Sequence, residues 1–271
     1  MKATFRLVLL FTVGTGLAFA HDPFVVLRAN QGLPAGIHEI RLKNRVGTIS
    51  VHGIAGSSIH VRAFLKPGHG RKIVILDLFT WGGGNDFHKQ TLGGYIRLLP
   101  EGRDRLQVAL ILPHDPHLKD LTVDWRLGIP QMEAVWITNH IGRLVVARMG
   151  AKVRAEGNIG LISIRDSAGP IIARTNIGKI KISGVTHSLF AKTNVGAVKV
   201  QGAITSIGPV DLTSNVGSVH VRGLPHFPAQ SSGLNGHLLY HGTGRHHIRI
   251  KVNVGSIRLV LISPHPKPAH R

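Results

Sequence analysis

The three-residue string Asn-Ile/Val-Gly recurs through the second half of the chain and constrains its fold more than any other feature. When the copies are aligned on their glycine, those from Gly142 onward lie 18, 18, 18, 21, 19 and 19 residues apart. A unit of this length cannot bury an apolar face by itself, so each copy must pack against the next. The copies are Asn158-Ile159-Gly160, Asn176-Ile177-Gly178, Asn194-Val195-Gly196, Asn215-Val216-Gly217 and Asn253-Val254-Gly255, with looser copies that end at Gly47, Gly142 and Gly236.

The residues that follow each glycine alternate in polarity. The second and fourth positions after the eight glycines are apolar or aromatic in all 16 cases, and 12 of them are Ile or Val. This period of two predicts strands with one buried face. Two or three short strands with tight turns fill one copy, so the pattern predicts an all-β, single-stranded β-solenoid with about 18–21 residues per coil. A leucine-rich repeat, the main competitor, needs a Leu-x-x-Leu-x-Leu frame that the copies lack.

The first half of the chain carries one copy, at Gly47. It lies 95 residues before Gly142, five times 19, which leaves room for degenerate copies in between. An insertion at 67–94 carries the aromatic residues Trp81 and Phe87. These two residues could contact a sugar or a partner protein, or they could pack as a lid over the end of the stack. The predicted regions are a signal peptide at 1–20, an N-terminal β region and cap at 21–105 with an insertion at 67–94, β-solenoid repeats at 106–262, and a flexible Pro/His-rich tail at 263–271.

Residues 1–20 have the pattern of a secretory signal peptide. Lys2 and Arg6 come before an apolar stretch of 13 residues, and Ala18-Phe19-Ala20 places small residues before the expected cleavage site. The apolar stretch is too short to span a bilayer of roughly 30 Å. The chain has no cysteine, which excludes disulfides, iron–sulfur clusters and Cys-ligated zinc. We therefore expect an exported protein, periplasmic, on the cell surface or secreted, with no transmembrane segment after cleavage.

The repeats, together with the strands that lead into them, resemble a known family. Leu106-Gln-Val-Ala-Leu-Ile-Leu-Pro and Leu121-Thr-Val-Asp-Trp come before repeats of Asn-Ile/Val-Gly-x-Ile/Val-x-Ile/Val. Over about residues 106–262, this arrangement is similar to the bacterial putative-adhesin family of exported β-solenoid domains, which is largely uncharacterised. The resemblance implies a solenoid at the cell surface or in the periplasm and no catalytic residues. Members more often carry acidic turns, where this chain has basic or small residues, so acid-dependent behaviour is not implied.

The recurring asparagines have two interpretations. In stacked coils their side-chain amides would bond to the coils above and below and form a structural turn ladder. They could instead contact a ligand, and the structural interpretation is the one we prefer. The predicted ladder consists of Asn158, Asn176, Asn194, Asn215 and Asn253.

The outward positions of the predicted strands are rich in cations, in a chain with 33 Lys and Arg, 13 Asp and Glu, and a formal net charge of +20. Stacking would place Lys181, Lys199, His220 and Arg258 in one column, which would attract a polyanion in a salt-dependent way. The candidates are acidic polysaccharide, lipopolysaccharide or another envelope polyanion. Sequence-specific nucleic-acid recognition is not indicated, because few aromatics accompany the charge. Alternatively, the charge adapts the whole surface to its environment. The predicted polyanion contacts are Lys179, Lys181, Lys199, Arg222 and Arg258.

No catalytic constellation is evident. The nine Asp and four Glu are scattered, unlike the clustered carboxylates of β-helix lyases and hydrolases. The groups His114-x-x-His117 and His241 with His246-His247 lack a third ligand at a diagnostic spacing, so we predict no metal site and no cofactor. The sequence favours a non-catalytic, adhesin-like binding or scaffold protein of the cell envelope. A structural envelope protein without a specific ligand and a carbohydrate-active β-helix enzyme remain the alternatives.

Overall fold

The computed structural model describes residues 25–66, 96–111, 121–203, 206–224, 230–232 and 235–262, and every regular element in these ranges is a β-strand. The predicted all-β class is confirmed. The predicted signal peptide, the 67–94 insertion, the pair His114 and His117, and the tail from 263 lie outside the described residues. The strands are Val25–Gly32 (β1), Glu39–Ile54 (β2), Ser58–Lys66 (β3), Ile96–Pro100 (β4), Arg105–Leu110 (β5), Thr122–Pro130 (β6), Ala134–Ala147 (β7), Val153–Arg165 (β8), Ile171–Val185 (β9), Leu189–Gly202 (β10), Ile207–Val216 (β11), Val219–Arg222 (β12), Gln230–Ser232 (β13), His237–Tyr240 (β14) and His246–Leu261 (β15).

These strands form one large mixed sheet that is not closed, and its centre is a parallel stack. The strands β2, β7, β8, β9, β10 and β15 lie side by side in that order, with β11 and β12 on the far side of β15. Pairing is in register on the motif glycine, so that Gly178 lies opposite Gly160 on one side and Gly196 on the other. Equivalent positions of the repeat therefore form rows that cross the sheet.

Each long strand turns at its motif glycine. In β9 every second side chain is buried up to Thr175, and the alternation resumes only at Ile180. The four residues from Asn176 to Lys179 are all at least partly exposed. A straight strand would bury every second one of them, so the chain bends around the core here. We call this position the corner.

The corners divide the sheet into two half-sheets. The first half-sheet consists of β4, β5, β11, β14 and the parts of the long strands before the motif glycine. The second consists of β1, β3, β6, β12, β13 and the parts after the glycine. One apolar cluster contains Ile137 and Ala173 from the first half-sheet and Leu127 and Ile180 from the second. The two half-sheets thus share one core, and each presents an outer face.

Backbone packing requires glycine at the corner. Gly178 has a φ of 145°, a conformation that residues with a side chain rarely adopt. A Cβ atom at this position would also collide with the carbonyl oxygen of Gly160 on the neighbouring strand. Polar side chains just inside the corner bind its carbonyl groups: Asn139 Nδ2 donates to the carbonyl of Gly47 at 2.8 Å, and Thr193 Oγ1 donates to that of Val195 at 3.3 Å.

The order of the copies in the stack departs from their order in the sequence. Gly47 pairs directly with Gly142, so no further copy lies between these two strands in the stack. The strand β15, last of the described strands in the sequence, lies between β10 and β11. The loose copy at Gly236 does not join the parallel stack, because the strand after it, β14, pairs antiparallel with β11.

Candidate functional site

One row on the outer face of the second half-sheet carries cations at both of its ends. It passes through the third position after the motif glycine, and antiparallel pairing continues it onto the edge strands. With neighbouring strands about 4.8 Å apart, it extends over roughly 43 Å. We call it the cationic row, and in order it consists of Arg28, Arg62, Arg126, Ser50, Val145, Ser163, Lys181, Lys199, Arg258 and His220.

The row contains three of the five residues for which we predicted polyanion contacts. Lys181, Lys199 and Arg258 are exposed neighbours on β9, β10 and β15. Lys179 lies two residues earlier on β9, on the same face and next to the corner. Arg222 is exposed on β12, one outward position beyond the row. All five therefore share one outer face.

The six Arg and Lys side chains of the row have no carboxylate at ion-pairing distance among the described residues. Asp124, on the same face, accepts hydrogen bonds from Lys66 Nζ at 2.9 Å and from the amide of Thr48 at 2.7 Å. Arg126 lies over the ring of Phe64, with its guanidinium carbon 4.8 Å from the ring centroid. The charges of these six side chains are thus not neutralised by any described carboxylate.

The middle of the cationic row is made of small side chains. Ser50, Val145 and Ser163 lie side by side between Arg126 and Lys181. Because serine and valine are shorter than arginine and lysine, this stretch is a shallow strip with cations at either end.

The outer face of the first half-sheet is built differently. Trp136 lies between two guanidinium groups, with the carbon of Arg41 at 4.3 Å and that of Arg154 at 3.9 Å from a ring centroid. Arg41 donates to Glu39 at 2.6 Å and to Glu101 at 3.0 Å. Burial alone would lower the pKa of Arg41, but the hydrogen bonds and charges of these two carboxylates outweigh burial and raise the pKa.

Carboxylates continue along the first half-sheet. Glu156 accepts a hydrogen bond from Arg154 Nε at 2.9 Å and one from the indole of Trp136 at 3.3 Å. It also lies 3.9 Å from a guanidinium nitrogen of Arg174. Farther along, Asp211 lies 3.2 Å from Arg249 Nε. These acids are bound by cations of their own sheet and are not arranged as a free catalytic pair.

Four of the five asparagines predicted to form a ladder are linked side chain to side chain. Asn194 Nδ2 donates to Asn176 Oδ1 at 2.6 Å, Asn253 Nδ2 donates to Asn194 Oδ1 at 3.3 Å, and Asn215 Nδ2 donates to Asn253 Oδ1 at 3.3 Å. The backbone carbonyl of the fifth, Asn158, accepts from Thr175 Oγ1 at 3.4 Å. These amides use part of their hydrogen-bonding capacity on one another.

Histidines form one close contact at the start of β15. The rings of His246 and His187 have centroids 4.7 Å apart. Burial lowers the pKa of His246, and the positive charges of His187 and Arg245 lower it further. In the part of the chain that the structure describes, no three His, Asp or Glu side chains are grouped to hold a metal ion.

The arginine end of the cationic row was not predicted from the sequence. Arg28, Arg62 and Arg126 lie on strands that carry no Asn-Ile/Val-Gly copy, so the repeat assigns them no register. The alternation in β3 does mark Arg62 as outward, since every other residue from Ile59 to Leu65 is apolar. Which strand lies beside it, and in which direction, becomes known only from the fold.

Comparisons with known proteins add structural neighbours. No family model and no curated protein matches the sequence. The fold is similar to a putative cell adhesion protein from Clostridium sporogenes, with a TM-score of 0.45, 12% identity, and 88% of this chain and 100% of that one covered. It is also similar to a putative adhesin from Bacteroides fragilis, with a TM-score of 0.28, 10% identity and coverage of 88% and 97%. A third neighbour, a putative adhesin from Parabacteroides merdae, has a TM-score of 0.29, 8% identity and coverage of 88% and 96%.

Across the described ranges, no helix is long and apolar enough to cross a bilayer.

Proposed function

We propose that the protein is an exported, non-catalytic, adhesin-like binding or scaffold protein of the cell envelope that holds an acidic polymer along its cationic row. The observation that carries this proposal is the row itself, in which six Arg and Lys share one register and have no described carboxylate partner. A linear polyanion matches this arrangement, because its regularly spaced charges can meet cations at both ends of the row. Acidic polysaccharide and lipopolysaccharide are the envelope polymers of this chemistry.

The proposed architecture is a single-stranded β-solenoid. Only residues 148–152 connect β7 to β8, and only 166–170 connect β8 to β9. A straight strand of 13 residues would be about 43 Å long, whereas five residues reach at most about 18 Å. The chain can return to the start of the next parallel strand over so short a link because each strand bends at its corner. One bent strand and one link then make one coil.

Export is proposed from residues 1–20 alone. Cleavage after Ala20 would leave His21 at the N-terminus of the mature protein. Mass spectrometry of the protein recovered from the periplasm and the medium of the expressing cell tests this. A protein that stays in the cytoplasm with Met1 retained would contradict it.

The binding experiment measures affinity for heparin, as a model acidic polysaccharide, and for lipopolysaccharide across a salt series. The row variant carries Lys181→Ser, Lys199→Ser and Arg258→Ser. A matched control carries Lys43→Ser, Lys192→Ser and Lys251→Ser, which removes the same charge from the first half-sheet. We expect the row variant to lose about tenfold or more in affinity and to show a flatter salt dependence, because fewer counterions are released. The control should lose much less.

Equal losses in the two variants would show that the charge acts as a whole, which favours a structural envelope protein without a specific ligand. A shortened polymer recovered after incubation would favour the carbohydrate-active enzyme. Binding of the row variant at the wild-type level would overturn the proposed role of the row. Changing Lys179 and Arg222 to Ser, one at a time, measures how far the contact extends beyond the row.

A further inference from the structure

A continuous row of aliphatic side chains is exposed along the corner. The residue before each of the motif glycines in the parallel stack is Ile or Val, and six of these seven are 41–50% exposed. At about 4.8 Å per strand, the seven span roughly 29 Å. Scattered exposed apolar residues are ordinary, but a contiguous apolar patch marks an interaction surface. We call this row the corner ridge, and in order it consists of Val46, Ile141, Ile159, Ile177, Val195, Val254 and Val216.

The corner ridge is convex. Asn176 before Ile177 and Lys179 after it are both exposed, and Gly178 is partly exposed. The whole segment is exposed because the chain bends around the core at this point. A convex edge has no groove into which the side chains of an extended peptide or a helix could insert. It suits a broad, deformable surface that can close around it.

Exposed Lys and Arg side chains flank the corner ridge on both half-sheets. On the first half-sheet, Lys43, Lys192 and Lys251 lie three residues before a ridge residue; on the second, Arg143 and Lys179 lie two residues after one. All five are exposed. None has a carboxylate at ion-pairing distance within the described ranges. The apolar edge is therefore bordered by positive charge along both flanks.

We propose that the corner ridge docks on an anionic lipid bilayer. The aliphatic side chains enter the boundary between headgroups and acyl chains, and the flanking Lys and Arg contact lipid phosphates. Charge complementarity favours this occupant. A second copy of the chain, packed ridge against ridge, would bring four rows of unpaired cations together and would be repelled. The proposed contact uses residues outside the cationic row, so it goes beyond the polymer-binding function.

The first experiment measures binding of the purified protein to vesicles of phosphatidylcholine alone and of equal parts phosphatidylcholine and phosphatidylglycerol. The ridge variant carries Ile159→Thr, Ile177→Thr and Val195→Thr, which keep β-branched side chains at the corner. We expect wild type to bind only the anionic vesicles and the ridge variant to bind them about tenfold more weakly, because interfacial binding scales with buried apolar area. Its heparin affinity and melting temperature should stay unchanged.

A matched control places the same chemistry away from the corner. Ile54, Ile172 and Val260 are partly exposed aliphatic residues on the two outer faces, outside the cationic row. A variant with Ile54→Thr, Ile172→Thr and Val260→Thr should bind anionic vesicles as wild type does. Wild-type vesicle binding by the ridge variant, or equal losses in the two variants, would overturn the proposal.

Direct contact can be observed with a single fluorophore, because the chain has no cysteine. An environment-sensitive dye on Ile177→Cys should shift to the blue with anionic vesicles, whereas the same dye on Ile172→Cys, on the outer face of the first half-sheet, should not. An unchanged spectrum at Ile177 would contradict insertion of the ridge. If sedimentation shows that the ridge variant is monomeric and the wild type dimeric, with no vesicle binding by either, the ridge is an interface between copies and the lipid proposal fails.

The same data separate the two proposals. Loss of heparin binding in the row variant supports the polymer site whatever the vesicles show. Loss of vesicle binding in the ridge variant with heparin binding intact supports the lipid contact whatever the row does. Each proposal can therefore fail without the other.

Discussion

The outer faces of the two half-sheets differ in how their arginines are compensated, although Lys43, Lys192 and Lys251 near the corner of the first face also have no described carboxylate partner. On the first, Arg41 and Arg154 enclose Trp136 and bind glutamates of the same face. On the second, Lys181, Lys199 and Arg258 stand side by side without a described carboxylate. Compensated cations stabilise the fold, whereas adjacent like charges destabilise it slightly. The arginines of the first face thus stabilise the fold, whereas the cations of the second face are the ones to which we assign polymer binding.

The largest effect should come from the corner that joins the half-sheets. Gly178→Ala places a Cβ against the carbonyl of Gly160 at a φ of 145°, and we expect a loss of about 3 kcal/mol or more in unfolding free energy. Urea denaturation measures it. Gly32→Ala is the control, because a Cβ there meets no atom within 4 Å. Equal stability of the two variants would mean that the backbone at the corner can rearrange to accept a Cβ without a loss in unfolding free energy.

The next effect tests compensation on the first half-sheet. Glu156→Gln removes the charge that binds Arg154 and Arg174, and we expect a loss of about 1–2 kcal/mol, since the side chain is only partly exposed. Glu133→Gln is the matched control, because the one described ion pair of its carboxylate is with His38, at 3.7 Å. A loss from Glu156→Gln no larger than that of the control would remove the contrast between the two faces.

The opposite change on the second half-sheet should have the opposite sign. Lys199→Glu places an acid between Lys181 and Arg258, and we expect a gain of about 0.5 kcal/mol in unfolding free energy. The same variant should bind heparin more weakly, and Lys199→Gln should be intermediate in both properties. Thermal unfolding and a heparin titration measure the two. A variant that is less stable than wild type would show that the row stabilises the fold.

A smaller effect is expected at the asparagine ladder. Asn194→Ala removes a donor to Asn176 and an acceptor for Asn253, at a cost of about 0.5–1 kcal/mol for exposed hydrogen bonds. Polymer affinity should not change if the ladder is structural. A normal melting temperature together with lost heparin binding would instead assign the ladder to a ligand.

The smallest expected effects concern acid. Burial is the largest cause that lowers the pKa of His246 and the pKa of His52. Nearby positive charges lower both pKa values further: those of His187 and Arg245 act on His246, and those of Arg148 and His60 act on His52. The folded protein therefore binds these protons less readily than the unfolded chain, so stability falls as the pH drops below about 6.5. His246→Gln and His52→Gln should each flatten this dependence in melting curves. Slopes identical to wild type in both variants would contradict the assignment.

Period-two patterning predicted the strand segments that follow the motif glycines of the parallel stack, together with their buried faces. Ile180 and Ile182 are buried as the alternation requires, and Lys181 between them is exposed. The order of the strands in the stack could not be predicted from the sequence, because the copies at Gly196, Gly217 and Gly255 offer nearly equivalent edges to a neighbouring strand. Chain proximity favours the wrong neighbour in that case, and the position of β15 follows from tertiary packing.

The corner ridge shows that the alternation of apolar residues does not by itself predict which of them are exposed. An Ile or Val before a glycine in an alternating strand suggests a buried or incidental position. Ile177 is 46% exposed because the bend at Gly178 shifts the alternation by one residue. A shift of this kind has no signature in hydrophobicity alone, since it arises from the backbone conformation that the glycine permits.

The place of β15 between β10 and β11 has a consequence for how the molecule folds. As the chain is synthesised from its N-terminus, β7, β8, β9 and β10 can assemble one upon another through contacts close in sequence. In contrast, the parallel partner of β11, β15, begins only 30 residues after β11 ends. Until then, the edges of β10 and β11 carry compatible registers and can pair with each other in a trapped form that the last strand must displace. Refolding should therefore contain a slow step that depends on β15, and synthesis rate and chaperones should affect the yield of native protein more strongly than its final stability.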